Sequence, residues 1–381
     1  MTAGSQRRKE GRTTVLWLAR GLGPGGMERL LVTHARLGDT DRIRYLAAYL
    51  TERPRSLQGQ LEAAGVQVFS LGSHPLGVAR RLRSLLLNEE VDIVHAHSPM
   101  PATIGRVTAR TVHPRPALVY TEHNSWACYG RATRLANAVT FPLDDVHLAV
   151  SADAASSVPK WLARPRPEVL THGIPEPIET PPTARTREEL RGELGVADDA
   201  VMVLCVANHR LEKDYDNLID AMDLVVAGEG DTGGGPQVTV VAAGAGPLME
   251  GSRRRVAALG LEGRLHVLGH RDDVDALMVA ADAFVLSSRF EGLPVALMEA
   301  TAAGLPVVAT AVGGIPEALA GEAAELLVSP QDPNALAASL MRLRDPAVRR
   351  RLGDASRAVS RRFNAADAVK FQEAIYSGLI S

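Results

Sequence analysis

Aromatic side chains make up only 4% of this 381-residue chain, too few for the stacking platforms that hold single-stranded nucleic acid. An excess of one charge is missing as well. The chain has 42 Lys and Arg against 44 Asp and Glu, a formal net charge of −2, so no overall basic footprint speaks for a nucleic-acid partner. The two cysteines, Cys128 and Cys205, stand far apart. They make neither a disulfide framework nor a metal spacing, and they read as buried or half-buried thiols of a reducing compartment. No apolar run approaches the roughly 18 residues of a membrane-spanning helix. Met1 to Arg12 is polar and basic with no apolar stretch behind it, unlike a secretory signal. A cytoplasmic location is the expectation.

What is present is a globular composition, 46% hydrophobic and 23% charged, in a chain long enough for two domains. Strand-like apolar runs recur at residues 13–18, 44–50, 66–71, 93–97, 118–121 and 146–150, with helical patterns at 27–37, 76–87 and 102–111. Nearly all-apolar strands alternating with helices predict a parallel sheet covered on both faces. Prolines then cluster (Pro165, Pro167, Pro175, Pro177, Pro181 and Pro182), as suits an interdomain connection. After them the rhythm restarts, with strand candidates at 201–207, 238–243, 264–268, 283–286, 306–309 and 326–328. The chain is expected to be α/β, with doubly wound domains at 12–178 and 185–360 and a terminal helix at 361–381. Open sheets of this kind take ligands at the carboxyl ends of their strands, and two facing domains would share one cleft.

The most informative stretch is SSRFEGLPVALMEATAAGLPVVAT, residues 287–310. Pro294 suits the first position of a helix that Gly304 and Pro306 end. Glu299 is the only charged residue of that helix, on a face shared with Val295, Met298 and Ala302. A carboxylate on an apolar stripe is costly unless it is bonded. The vicinal hydroxyls of a ribose would satisfy it, and so would a nearby arginine. Glu291 precedes the helix beside Gly292, where backbone N–H groups and the helix dipole favour an anion. The plainer reading is that Glu291 caps the helix.

The acidic pair at this spacing, with EG before the proline and the AxxGxPVVAT tail, resembles the signature of family-four glycosyltransferases, which are retaining GT-B enzymes. GAGPL (244–248), HVLGHRDDV (266–274), AADAFVLSS (280–288), GGIPE (313–317) and ELLVSPQDPNALAASL (325–340) extend the resemblance over most of 200–340. It implies two Rossmann-like domains facing an interdomain cleft, the donor domain C-terminal and the acceptor domain N-terminal. It also implies that Glu299 holds the ribose, while Glu291 and the main chain of Gly292 and Leu293 face donor sugar and phosphates. In VANHRLEKDYDNLIDAM (206–222), Lys213 matches the family lysine that neutralises the diphosphate. Asn208 stands where an arginine is usual, with Arg210 close enough to take that role.

The N-terminal half matches more thinly. GLGPGGMERLL (21–31) resembles the glycine-rich loop opening the first helix, where Gly25 and Gly26 would bring N–H groups to an anion. HAHSPMPA (95–102) and YTEHNSW (120–126) are strand-end segments, and His123 matches a family histidine near the reaction centre, with His97 a second candidate. THGIPEP (171–177) has His172 where asparagine is usual and is assigned no chemistry. Residues 21–26 also spell a dinucleotide fingerprint, GxGxxG, with Glu52 at a plausible distance. A dehydrogenase would leave the acidic pair, Lys213 and GGIPE without a shared purpose.

The resemblance implies transfer of a hexosyl group from a nucleoside-diphosphate sugar, used as co-substrate with no further cofactor, and with retained configuration. No acidic tripeptide or His/Cys cluster marks a metal site, so cationic side chains are expected to take the place of Mg²⁺. The acceptor is a glycan, a lipid-linked molecule or a small molecule. A non-catalytic nucleotide- or sugar-binding GT-B subunit and a GT-B sugar-nucleotide epimerase are the alternatives. Residues 77–90 (GVARRLRSLLLNEE) carry Arg80, Arg81 and Arg83 beside Val78, Leu82, Leu85 and Leu86. They suit a core-facing helix with solvated arginines better than a helix resting peripherally on an anionic membrane at its inner face.

Overall fold

The computed structural model describes residues 11–53, 55–162, 166–175, 186–232 and 234–380. Pro165, Pro177, Pro181 and Pro182 of the proline cluster, and nearly all of the basic lead-in, lie outside them. The chain divides into two compact units. One comprises residues up to Pro175 together with the segment from Phe363, and the other is the stretch between, ending at Arg362.

The first unit is built on β1 (Thr13–Ala19), β2 (Ile43–Tyr49), β3 (Gln67–Ser70), β4 (Ile93–His97), β5 (Ala117–Glu122), β6 (Val146–Ala149) and β7 (Glu168–Val169). Their order in the sheet is β3-β2-β1-β4-β5-β6-β7 and every pairing is parallel. The two-residue β7 was not foreseen, being too short and too exposed to leave an apolar signature. The helices are α1 (Gly26–Leu37), α2 (Gln58–Ala63), α3 (Pro75–Asn88), α4 (Pro99–Ala109), α5 (Arg131–Thr140) and α6 (Ala152–Ser157). Alternate residues of β1 enter different cores, since strand side chains point to opposite faces. Leu16 and Leu18 join Val78, Leu82, Leu85 and Leu86 of α3, while Val15 and Trp17 join Leu31 and Val32 of α1. The apolar stripe of α3 therefore faces the core, and its arginines stay exposed.

The second unit has β8 (Val201–Val206), β9 (Val238–Ala243), β10 (Leu265–Gly269), β11 (Ala283–Leu286), β12 (Val307–Thr310) and β13 (Leu327–Val328), in the all-parallel order β10-β9-β8-β11-β12-β13. Its helices are α7 (Arg187–Glu193), α8 (Tyr215–Thr232), α9 (Met249–Ala258), α10 (Val274–Ala280), α11 (Val295–Ala302), α12 (Ile315–Ala318), α13 (Pro333–Arg342) and α14 (Pro346–Ser360). Pro294 is not the first residue of α11 but its N-cap, with ψ 123° holding it extended before the helical backbone begins at Val295.

The last helix, α15 (Ala365–Ile380), returns to the first unit. Ile174 bridges Asn364, and a Cβ on Gly173 would lie 2.2 Å from the carbonyl carbon of Asn364. Only glycine allows the chains to cross there. Both sheets reverse direction from their first strand, between β1 and β4 and between β8 and β11. Such switch points open a crevice beyond the strand ends, which locates the site within each unit.

Candidate active site

In the second unit, the switch point receives the loops after β8 and β11. The β8 loop passes Asn208, which is half-buried, and Arg210, which is exposed and has no side-chain partner among the described residues. It then makes a single 3-10 turn, Leu211–Lys213, ended by Asp214 at φ 47°. Aspartate tolerates this left-handed conformation better than most residues.

The segment after β11 fastens that turn. Ser287 Oγ donates to the carbonyls of Lys213 and Asp214, each at 3.0 Å, and the Arg289 N–H donates to the Glu212 carbonyl at 2.8 Å. The Arg289 guanidinium pairs with buried Asp214 at 2.8 Å. The two side chains expected at the phosphates then meet directly. Lys213 Nζ donates to Glu291 Oε1 at 2.5 Å, and Ser288 Oγ donates to the same oxygen at 2.6 Å. Glu291 is 7% exposed, so its charge is held by this paired ammonium and hydroxyl rather than by water.

The loop after β12 supports Glu291 from behind. Gly314 N–H donates to the Gly292 carbonyl at 2.7 Å. A Cβ on Gly313, whose φ is 56°, would lie 2.0 Å from the Glu291 carbonyl oxygen. The first glycine of GGIPE is thus required by its left-handed backbone and by the close approach. Glu299 lies half-buried on α11, with fully buried Met298 beside it. Leu293 is half-buried and Gly292 buried. Among the described residues no three His, Cys, Asp or Glu side chains are grouped to hold a metal ion.

In the first unit, the switch point receives the glycine-rich loop and the β4 end. Gly25 is the N-cap of α1 and Gly26 its exposed first residue. Four histidines line one small pocket there: His34 on α1, His97 at the end of β4, His123 just past β5, and His172. His97 Nδ1 lies 3.0 Å from His123 Nε2, and the His123 ring stacks on His172 with centroids 5.5 Å apart and planes 10° from parallel. Burial holds the His97 and His123 rings well below the ordinary histidine pKa and pushes His172 down to about 4. These rings are therefore neutral near pH 7, hydrogen-bonding groups rather than cations. The Nε2 atoms of His97 and His172 are buried and have no partner among the described residues.

Sequence reasoning passed over several supporting residues. His172 was given no role, yet it stacks on His123. His95 bonds Tyr376 of α15 through Nδ1 at 2.6 Å and Thr121 through Nε2 at 2.7 Å. No local pattern links residues 281 positions apart. Glu122 is buried beside His123, accepts from Tyr120 at 2.8 Å and from Tyr129, and is pushed up to about 7 by its burial. Ser287 and Ser288 carried the one available signal, two small polar residues directly after an apolar strand. The cysteines divide: Cys205 is buried, but Cys128 is exposed, because it closes a surface 3-10 turn, Trp126–Cys128.

Two parallel Rossmann-like units, the second with a lysine–glutamate pair at its switch point, define the class: a GT-B glycosyltransferase. The family description "Glycosyl transferases group 1" matches residues 186–359, and "Glycosyltransferase Family 4" matches residues 12–176. The D-inositol 3-phosphate glycosyltransferase of Corynebacterium efficiens is 30% identical over 307 residues, 76% of this chain and 71% of that protein. The N-acetyl-alpha-D-glucosaminyl L-malate synthase of Bacillus anthracis is 26% identical over 317 residues, 81% of this chain and 80% of its own length. A crystal structure of Anabaena HepE in complex with UDP-glucose superposes with a TM-score of 0.83 at 22% identity, covering 96% of this chain and 100% of that one.

The chain belongs to glycosyltransferase family 4, its C-terminal half being of the group 1 type. It is a retaining enzyme that transfers a sugar from a nucleoside-diphosphate sugar to an acceptor.

Proposed function

We propose that the donor is a UDP-sugar and that its diphosphate is received at the Lys213–Glu291 pair. The carrying observation is that 2.5 Å contact, at the switch point and fastened by the serines and Arg289 after β11. Breaking the bond between the anomeric carbon and the phosphate oxygen leaves negative charge on the diphosphate. A cation already held in place meets that charge without reorganising. Glu291 aims the Lys213 ammonium, and Arg210, exposed and without a side-chain partner among the described residues, supplies the second positive charge that Asn208 cannot. Glu299 takes the ribose hydroxyls, and Gly292 and Leu293 offer main-chain groups to sugar and phosphate. Gly25 and Gly26 offer N–H groups from the α1 terminus.

His123 is assigned to a hydroxyl of the donor sugar. Being neutral, it hydrogen-bonds there without opposing the positive charge that develops at the anomeric carbon. The new bond from the acceptor oxygen to that carbon forms on the face the diphosphate leaves, and the departing phosphate takes the acceptor proton. UDP is favoured as the base because similarly folded HepE is seen with UDP, UDP-glucose, and UDP with glucose. The acceptor is a hydroxyl of a small molecule, a glycan or a lipid-linked molecule, met in the cytoplasm or at the inner face of its membrane. Any such contact is taken to be peripheral; among the described residues no helix is long and apolar enough to cross a membrane.

The test is a thermal-shift panel of UDP-, GDP-, ADP- and dTDP-sugars, read together with diphosphate release in the absence of acceptor. A binding donor raises the transition by mass action. Stabilisation by UDP-sugars with slow UDP release supports the proposal. Stabilisation by another base reassigns the donor, and no response to any of the four removes the site.

A further inference from the structure

A surface helix ordinarily turns its apolar residues inward. Helix α5 does the reverse. Its buried polar side chains, Asn137 and Thr140, face the protein, where both accept from Arg106, at 2.7 and 3.0 Å. Its large apolar side chains face out: Leu135 is 67% exposed and Val139 71%. They are four residues apart and so form one ridge, flanked by exposed Arg131 and Arg134.

The surroundings continue the pattern. Helix α4, packed against α5, exposes Met100 and Val107. The turn whose Val158 and Leu162 enter the core beneath α3 and α4 exposes Trp161, at 71%, next to exposed Lys160. Helices α3, α4 and α5 contain six arginines (Arg80, Arg81, Arg83, Arg106, Arg131 and Arg134) and no Asp or Glu. In a chain whose charges nearly balance, that is a local cationic field. Arg106 is withdrawn from it by a buried pair with Asp144, and Arg81 and Arg83 donate to the carbonyls of Leu71 and Thr111. Asp145, paired with Arg115, and Asp153 on α6 are the first exposed acids that follow α5 in the chain.

We propose that the outer face of α4, α5 and the Trp161 turn docks on an anionic phospholipid bilayer. Outward aliphatic side chains, an exposed tryptophan and flanking arginines are the set that an anionic interface receives: apolar groups enter the headgroup boundary while guanidinium groups meet lipid phosphates. A soluble protein partner would bury the aliphatic ridge but would not need the exposed cations, Arg131, Arg134 and Lys160, that flank the ridge and Trp161. The assignment builds on the peripheral contact proposed above and gives it a surface. It is not the apolar stripe of α3, which the core consumes.

The structure supplies its own probe. Trp17 and Trp126 are buried and Trp161 is exposed, so a change in tryptophan emission on adding vesicles reports chiefly on Trp161. The full chain is mixed with phosphatidylglycerol/phosphatidylcholine vesicles and with pure phosphatidylcholine vesicles, at low and moderate salt. The expected result is co-sedimentation with the anionic vesicles, weakened by salt, with a blue shift that Trp161→Phe abolishes. Leu135→Glu/Val139→Glu should lower partitioning by at least about tenfold while acceptor-free donor hydrolysis stays unchanged, which shows that the variant is folded. Binding that neither variant alters overturns this surface but leaves a peripheral contact elsewhere. No binding to anionic vesicles at low salt overturns both. A dimer that the double variant dissolves, without vesicle binding, assigns the face to a second copy and overturns the proposal.

Discussion

Lys213 and Glu291, 78 residues apart, share one short charged hydrogen bond at 2.5 Å, and the bond is tied down from both ends. On one side Ser287 and Arg289 pin the Lys213 turn, and on the other the Gly313–Gly314 turn packs under the Glu291 backbone. Removing either member leaves a buried or half-buried charge without its partner, so substitutions here act on stability as well as on chemistry.

Lys213→Ala and Glu299→Ala should each lower donor turnover by about 10² or more. Lys213→Ala should also strand the buried Glu291 carboxylate and lower the thermal transition. Steady-state kinetics with differential scanning fluorimetry separates the two effects. Near-normal turnover in both variants would defeat the site assignment.

Arg210→Ala probes the cation that is expected to stand in for the family arginine missing at Asn208. The side chain is exposed and unpartnered among the described residues, so stability should change by no more than about 0.5 kcal/mol. Turnover should fall by about tenfold or more, as expected for a charge used mainly in the transition state. An unchanged kcat would return Arg210 to the solvated surface.

Tyr376→Phe tests how α15 is held to the first unit. The hydroxyl meets His95 Nδ1 at 2.6 Å, Trp17 Nε1 at 3.4 Å and the Gln372 amide. Its loss leaves buried polar groups unsatisfied, a cost of about 1–3 kcal/mol. Urea denaturation should show a lower midpoint with an unchanged slope. An unaltered midpoint would mean that apolar packing alone holds the helix.

Stability should fall on acidification. Burial pushes His172 down to about 4 and His34 to about 3, from an ordinary 6.5. Below about pH 6.5 the unfolded chain binds protons that the folded chain refuses, so this contribution is complete above about 6.5. It is lost as pH falls toward 4. Glu122 opposes the trend. Its carboxyl, raised from 4.5 to about 7 by burial, favours the fold fully below pH 4.5 and loses that contribution as pH rises through about 7. The thermal transition should therefore drop by about 5 °C or more between pH 7 and pH 5, and Glu122→Gln should make the drop steeper. A flat profile in Glu122→Gln over this range would show that the histidines titrate normally in the fold.

Much of the fold was legible in the sequence because burial on both sheet faces writes nearly unbroken apolar runs. The runs at 93–97, 238–243 and 283–286 coincide with β4, β9 and β11 to the residue. Polar residues of the second unit stand out for a related reason: Glu291, Glu299, Lys213 and GGIPE lie within or beside apolar stretches. The N-terminal half was less readable. Its histidines come from β4, the end of β5 and the segment after β7, and nothing local ties His97, His123 and His172 together.

The sequence by itself determined two parallel α/β units and the residue types offered at their strand ends, because periodicity and strand-end chemistry are local properties. Tertiary structure alone decided which of those residues touch: Lys213 on Glu291, His172 on His123, Tyr376 on His95. It alone turned Leu135 and Val139 outward while drawing Asn137 in. Contacts across large sequence separations depend on strand order and helix rotation, which are fixed only when the whole sheet packs.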